Sequence, residues 1–436
     1  MKVASFLPDI VKRFHRKPPW CEWLSGTVLF ADVSGFTPLS EALSVSGAAG
    51  SEMLSDTLNR YFSEMVSIVH SCGGDVMKFG GDSILCLFAD QADSQNAMIA
   101  AFKMQQASSG FRSVKTPSAK FKLQMKIGIA YGEVFLGAIG DPAVRCDYVF
   151  AGEAVAKAAE AEKQAVSGDI VVYQDKPHRH FSRVQPNPSL FRKVQDQTDC
   201  RPRVTASKSS LMPFLIAEVS AMVEKGYQKY VGAHQRVVPV FLQFKGFAFR
   251  KTIFSLEELH YFFSTIMKIT QVYEGRLNSF SVDDKGENLF FHFGAPNRLE
   301  KKEEAAAEWA LEVKDKIRKS YPRVDIRIGM TEGQVFWGIV GGSGRFHYTV
   351  VGDSVNVAAR LMQNARKGQI CVDHQFQQKL ATSFRFAGPT WKTFRGKGAS
   401  IGVYRLLDRA NTRAITQAHQ LIGRTSEFQQ VVEHLR

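Results

Sequence analysis

No apolar run in this 436-residue chain reaches the roughly 18–20 residues of a membrane span. The N-terminus lacks an uninterrupted apolar segment, because Pro8, Asp9 and Lys12 break it, so a secretory signal is not expected. Val3 to Phe14 instead has the pattern of a short amphipathic helix. The six cysteines (Cys21, Cys72, Cys86, Cys146, Cys200 and Cys371) form no CxxC pair and no Cys/His set at zinc spacing. Cys86 and Cys371 lie in apolar strand-like runs, as buried free thiols do. A reducing compartment is therefore expected, the cytoplasm, with the chain free or peripheral to membranes or cytoskeleton. No long basic run and no basic stretch interleaved with aromatics is present, which argues against a nucleic-acid partner. GxxxxGK[ST] is missing, and so is GxGxxG after a strand.

The charge is nonetheless basic, 56 Lys+Arg against 42 Asp+Glu for a net +14. Spread along the chain, it suits an anionic small molecule such as a nucleoside triphosphate. The length allows two or three domains, and the chain repeats itself at a domain-sized period. The run Ile127 to Gly140 (IGIAYGEVFLGAIG) returns as Ile328 to Gly341 (IGMTEGQVFWGIVG). Tyr148 to Gly152 (YVFAG) returns as Tyr348 to Gly352 (YTVVG). Shared glycines over this length mark a duplicated domain rather than a solenoid.

The first copy reads as strand (Gly26 to Asp32), helices (from Thr37, then Ser51 to Ser71), hairpin (Asp75 to Phe88), helix (Asp93 to Ala107), strands (Lys122 to Ile139), helix (Ala151 to Ala165) and strand (Ile170 to Tyr173). Its β-α-β-β-α-β order is the ferredoxin-like plan. We expect an α+β chain of five parts: an N-terminal helix (1–19), a first domain (20–175), a linker (176–235), a second domain (236–408) and the start of a further region (409–436). The tail Leu421-Ile422-Gly423-Arg424 precedes a helical pattern that stops, as in an N-terminal piece of a longer protein.

The chemistry gathers around Leu29 to Thr37 (LFADVSGFT). An apolar strand ends at Asp32 and turns through Ser34-Gly35 into a helix whose first N–H groups can meet phosphates. Asp82, after the Gly80-Gly81 turn, starts a strand that a ferredoxin-like sheet places beside the first. Two carboxylates at one sheet end make a two-metal site; capping by Asp32 and a turn role for Asp82 are the simpler readings.

Phe30 to Thr37, Lys78-Phe79-Gly80-Gly81-Asp82 and Val350 to Arg360 (VVGDSVNVAAR) resemble the signature motifs of class III nucleotidyl cyclases. The tandem copies, the linker and the Leu-Ile-Gly-Arg tail resemble the soluble, bicarbonate-responsive adenylyl cyclases, over about residues 20 to 436. The resemblance implies two cyclase domains paired within one chain as a pseudo-symmetric heterodimer, turning ATP into cyclic AMP with two Mg2+ or Mn2+ ions. It implies Asp32 and Asp82 as metal ligands, Ser34, Gly35, Phe36 and Thr37 at the phosphates, Asn356 on the ribose, and Arg360 on the triphosphate in the transition state. Lys397, in Arg395-Gly396-Lys397-Gly398, matches a phosphate-binding lysine, and Thr349 a base-reading position. Pairing Gly81 with Gly286 sets Asp283 opposite Lys78, so Lys285 becomes the expected base-reading lysine.

The copies lack complementary things. Where the first has Asp32 and Asp82, the second has Gln243 and Glu287. Where the second has Asn356 and Arg360, the first has Ala156 and Glu160. One composite site should work and its twin should be blank. In the blank half Lys78 is a candidate regulatory anion site, while Ala159 replaces the arginine that bicarbonate-responsive relatives carry; bicarbonate or calcium remain candidate activators. The other readings are a nucleotide-binding regulatory module, a guanylyl cyclase and a polymerase-like palm.

Overall fold

The computed structural model describes residues 2–14, 16–44, 46–81, 83–89, 94–111, 114–115, 120–174, 180–184, 208–226, 232–247, 249, 255–283, 286–342, 344–393 and 400–410. Asp82, Lys285, Lys397 and the tail from 411 lie outside them.

The first copy contributes strands β1 (Trp20–Ser34), β2 (Asp75–Gly80), β3 (Ser83–Ala89), β4 (Val114–Lys115), β5 (Lys120–Phe121), β6 (Gln124–Asp141), β7 (Arg145–Ala151), β8 (Ile170–Gln174) and β9 (His180–Arg183). The second contributes β10 (Gly232–Lys245), β11 (Arg276–Asp283), β12 (Gly286–Phe293), β13 (Asp325–Met330), β14 (Gly333–Gly342), β15 (Arg345–Val351), β16 (Ile370–Asp373), β17 (Phe384–Thr393) and β18 (Ser400–Arg409). The first sheet runs β2-β3-β1-β6-β8-β9 and the second β11-β12-β10-β13-β16-β18-β17, so each holds the ferredoxin-like order of hairpin, central strand and fourth strand. The long β6 of the first copy is interrupted in the second at Thr331 and Glu332, between β13 and β14. There Glu332 is buried and paired with Arg236.

Glycine fixes how the sheets meet their helices. A Cβ on Gly128 would lie 2.2 Å from the Ala158 carbonyl oxygen, and one on Gly329 2.0 Å from the Met362 nitrogen. Only glycine lets the helices Glu153–Gln164 and Asp353–Asn364 sit so close to the sheet.

The two copies share their cores. Phe336 and Val340 of β14 are buried in the core built around the first copy's helix Gly47–Ser71. In mirror fashion, Phe135 and Ile139 of β6 are buried in the core around the second copy's helix Leu256–Val272. Each fully buried Phe contributes about 1.5–3 kcal/mol, so the exchange binds the copies into one folded unit. The mirror extends to hydrogen bonds: Gly341 N–H donates to Asn59 Oδ1 (3.0 Å), and Gly140 N–H to His260 Nδ1 (3.2 Å). All five cysteines among the described residues are free, with Cys86 and Cys371 buried as the sequence led us to expect.

Candidate active site

Strand register decides which residues of the two copies are equivalent. Asp32 lies opposite Ser83 on one side and Lys126 on the other. Gln243 lies opposite Asn288 and Arg327 in the same way. Gln243 therefore occupies the place of Asp32, and Glu287, preceding Asn288, that of Asp82.

The hairpins differ more than the sequence suggests. Lys78 pairs with Leu85 just after a bulge at Met77, and Ser279 pairs with Phe290 just after a bulge at Asn278. The counterpart of Lys78 is thus Ser279, not Asp283. Two residues separate the paired Gly80 and Ser83, whereas six separate Ser281 and Asn288. The second hairpin carries four extra residues, and alignment on its glycine alone hides where they enter.

A cavity of about 320 Å³ opens between the copies. Its wall includes Gly80, Gly81 and Ser83 on either side of Asp82, and Val350, Val351, Gly352, Val355 and Asn356 from the second copy. Thr349, buried at 1% exposure, immediately precedes this stretch. The same cavity continues into the blank half past Phe150, Val155, Ala159 and Phe241.

At the acid end, the Asp32 side chain is 32% exposed, and its Oδ2 lies 3.6 Å from Lys126 Nζ. Lys126 also pairs with the buried Glu162. Burial pulls the Lys126 ammonium down, but the hydrogen bond and charge of Glu162, with Asp32, outweigh it and raise its pKa. Gly35 has φ of +111°, and a Cβ there would meet the Lys122 carbonyl oxygen at 2.6 Å, so the turn into the helix Phe36–Ser44 demands glycine. The Phe36 ring is fully buried, edge-on to Tyr61 at 5.3 Å. Ser34 Oγ donates to Gln124 O at 3.4 Å, and Thr37 is in the helix.

Asn356 and Arg360 lie one turn apart on Asp353–Asn364, as their spacing requires. Asn356 is exposed and Arg360 half-buried. Among the described residues the Arg360 guanidinium forms no ion pair, which leaves it available to an anion.

The half expected to be blank is filled by its own side chains. Lys78 Nζ sits 3.2 Å from Asp147 Oδ1 and 3.7 Å above the Tyr148 ring. Burial lowers the Lys78 pKa, and Asp147 opposes that shift. An anion reaching Lys78 has to displace Asp147. Sequence reasoning passed over both Lys126 and Asp147. The signal for Lys126 was its cross-strand position beside Asp32, which appears only once the β1–β6 register is known.

Residues 25–181 and 232–406 match the family described as "Adenylate and Guanylate cyclase catalytic domain". The chain belongs to that family. It is 26% identical to adenylate cyclase type 10 of Oryctolagus cuniculus over 93% of its own length, and 25% identical to that of Homo sapiens over 98%. It spans only 28% and 29% of those relatives. A solved class III adenylyl cyclase-like ATP-binding protein from Pseudomonas aeruginosa shares the fold over 82% of this chain, with a TM-score of 0.57 at 13% identity.

Proposed function

We propose that this chain is an adenylyl cyclase that converts ATP to 3′,5′-cyclic AMP and pyrophosphate at one composite site between its copies. The observation that carries the reading is complementarity: the acid end belongs to the first copy, Arg360, without an ion pair among the described residues, to the second, and one cavity touches both hairpin and Asn356. Its relatives, adenylate cyclases type 10, carry the activity in their name.

Asp32, together with Asp82, would hold the metal ions. Two carboxylates completed by substrate phosphates suit Mg2+ or Mn2+, which rarely occupy all-protein cages. When bound, the ions supply charge neutralisation and acidify the ribose 3′-hydroxyl. The protein's part is positioning. Asn356 orients the ribose so that its 3′-oxygen lies in line with the α-phosphorus. Backbone N–H groups after Gly35 meet the phosphates, and Lys126, with Lys397, adds positive charge. Arg360 stabilises charge as the 3′-oxygen bonds to phosphorus and pyrophosphate leaves. Thr349 and Lys285 select adenine over guanine. Bicarbonate or calcium would act as activators from outside this set, and product formation titrated against each tests that.

The deciding experiment is mass spectrometry of products from ATP and from GTP with Mg2+ or Mn2+, beside Asp32→Asn and Asp82→Asn. Cyclic AMP from the parent and none from the variants is expected. Cyclic GMP as the main product would overturn the adenine assignment. ATP binding without either product would make the chain a regulatory nucleotide-binding module.

A further inference from the structure

Each copy is preceded by a short strap, and the straps are crossed. The turn Val3–Phe6 and helix Asp9–Arg13 precede β1; the turn Met212–Phe214 and helix Ala217–Glu224 precede β10. Phe6-Leu7 and Val11 recur at the same spacing as Phe214-Leu215 and Val219, so the duplication includes the straps. Yet Val3–Phe6 rests on β15 of the second copy and Met212–Phe214 on β7 of the first. The Phe6 ring lies 6.0 Å from that of Phe346.

Where the first strap crosses, Arg345 of the second copy is buried at 1% exposure. It donates to Phe6 O in the strap (2.6 Å), to Val76 O (3.0 Å) and Met77 O (3.3 Å) at the β2 bulge, and to the Tyr148 hydroxyl (3.1 Å). Tyr148 in turn donates to Met77 O. One residue before the bulge, Asp75 Oδ2 accepts the Ile10 N–H at 2.8 Å. One residue after it, Lys78 is held by Asp147. The bulge is thus fixed from three sides, just before the turn at Gly81.

The mirrored place is tied differently: Glu218 of the second strap forms a bidentate ion pair with Arg276, the counterpart of Asp75, at the start of the second hairpin. Arg145, the counterpart of Arg345, reaches Pro213 O at 3.4 Å, and its buried Nε has no partner. The Tyr348 hydroxyl and Asn278 Oδ1 are likewise buried without partners. Ser279 and His347 stand where Lys78 and Asp147 form their ion pair. Both hairpins are tied to a strap, but among the described residues only the first, the one assigned to metal binding, has its bulge carbonyls held by a buried arginine.

We propose that Arg345 is a positioning residue, and that the N-terminal strap acts through it to hold the first-copy hairpin in the geometry the reaction needs. This rests on the reading of that hairpin as the metal-holding one. The test compares Arg345→Met, Phe6→Asp and the mirror variant Arg145→Met in the full chain, by amide hydrogen exchange and by steady-state kinetics. In Arg345→Met, exchange of amides 76–85 should accelerate at least about tenfold while 277–290 stays unchanged. The kcat should fall about 10–100-fold with KM for ATP nearly constant, and the Mn2+ concentration for half-activation should rise. Arg145→Met should move none of these. Phe6→Asp expels the strap without touching Arg345 and should reproduce the effect, which keeps the test open if Arg345→Met misfolds. Unchanged exchange at 76–85, or equal acceleration in both hairpins, overturns the clamp. Faster exchange with unaltered kcat and metal dependence overturns the positioning role. A parent without cyclase activity would refute the functional reading while the exchange data still judge the clamp.

Discussion

The two halves of the interdomain groove share a backbone and differ in what their side chains do with it. At the end of β1, Asp32 keeps a partly open carboxylate next to Lys126. At the equivalent end of β10, Gln243 is 4% exposed and donates to Asn288 Oδ1 at 3.4 Å. The acid stays accessible; the amide in its place turns inward and bonds its neighbour. The same contrast holds for the helices. Asp353–Asn364 presents Asn356 and Arg360, whereas Glu153–Gln164 presents Ala156 and Glu160 at the same positions. Duplication kept the residues that make sheet and helix fit, while those assigned here to the ligand differ between the copies.

The comparison breaks most sharply at the arginine. Arg360→Ala should lower kcat by about 10²–10³, as loss of other anion-stabilising donors does. Glu160→Ala, at the mirrored position, should leave turnover within about twofold, because under the proposed reading that half meets no developing charge. Equal losses in the two variants, measured as cyclic nucleotide formed per folded molecule, would mean both halves work.

Glycine separates stability from function. A methyl group on Gly329 or on Gly128 collides with helix backbone at 2.0 or 2.2 Å, so either helix must shift. Each Gly→Ala variant should cost about 1–3 kcal/mol in chemical denaturation. Only Gly329→Ala displaces the helix that holds Asn356 and Arg360. Its kcat should fall, while Gly128→Ala loses stability alone. A matched loss of kcat in Gly128→Ala would remove the distinction between the helices.

Much of this was legible before any coordinates. The paired glycines in IGIAYGEV and IGMTEGQV report helix–sheet contacts too close for a Cβ, and the ferredoxin-like order followed from strand and helix periodicity. The Gln243 and Glu287 equivalences also agree with the strand ladders. Position within the hairpin was not legible, because one glycine anchors only one side of a turn; four inserted residues moved the counterpart of Lys78 from Asp283 to Ser279. The crossed straps were invisible for a different reason. Arg345 and Phe6 are 339 residues apart, and a buried arginine bonded to backbone carbonyls leaves no pattern in the side-chain sequence.

The smallest contrast lies in the mirrored interface bonds and should appear only with pH. Gly140 N–H needs an unprotonated His260 Nδ1, whereas Gly341 N–H meets the Asn59 amide oxygen, which does not titrate. Burial lowers the His260 pKa, and the nearby Asp141 opposes the shift. With the folded value below the unfolded one of about 6.5, the stability from this contact is complete above that pH. It is lost as pH falls through the folded value. His260→Asn provides the oxygen that Asn59 provides on the other side. Between pH 7 and 5.5 the thermal midpoint of the parent should fall about 1–3 °C further than that of the variant. His292, pushed down to about 3 by burial, and the deeply buried His347 act equally in both proteins and cancel in the difference. Parallel acid limbs in parent and variant would show that the interface does not depend on the proton state of His260.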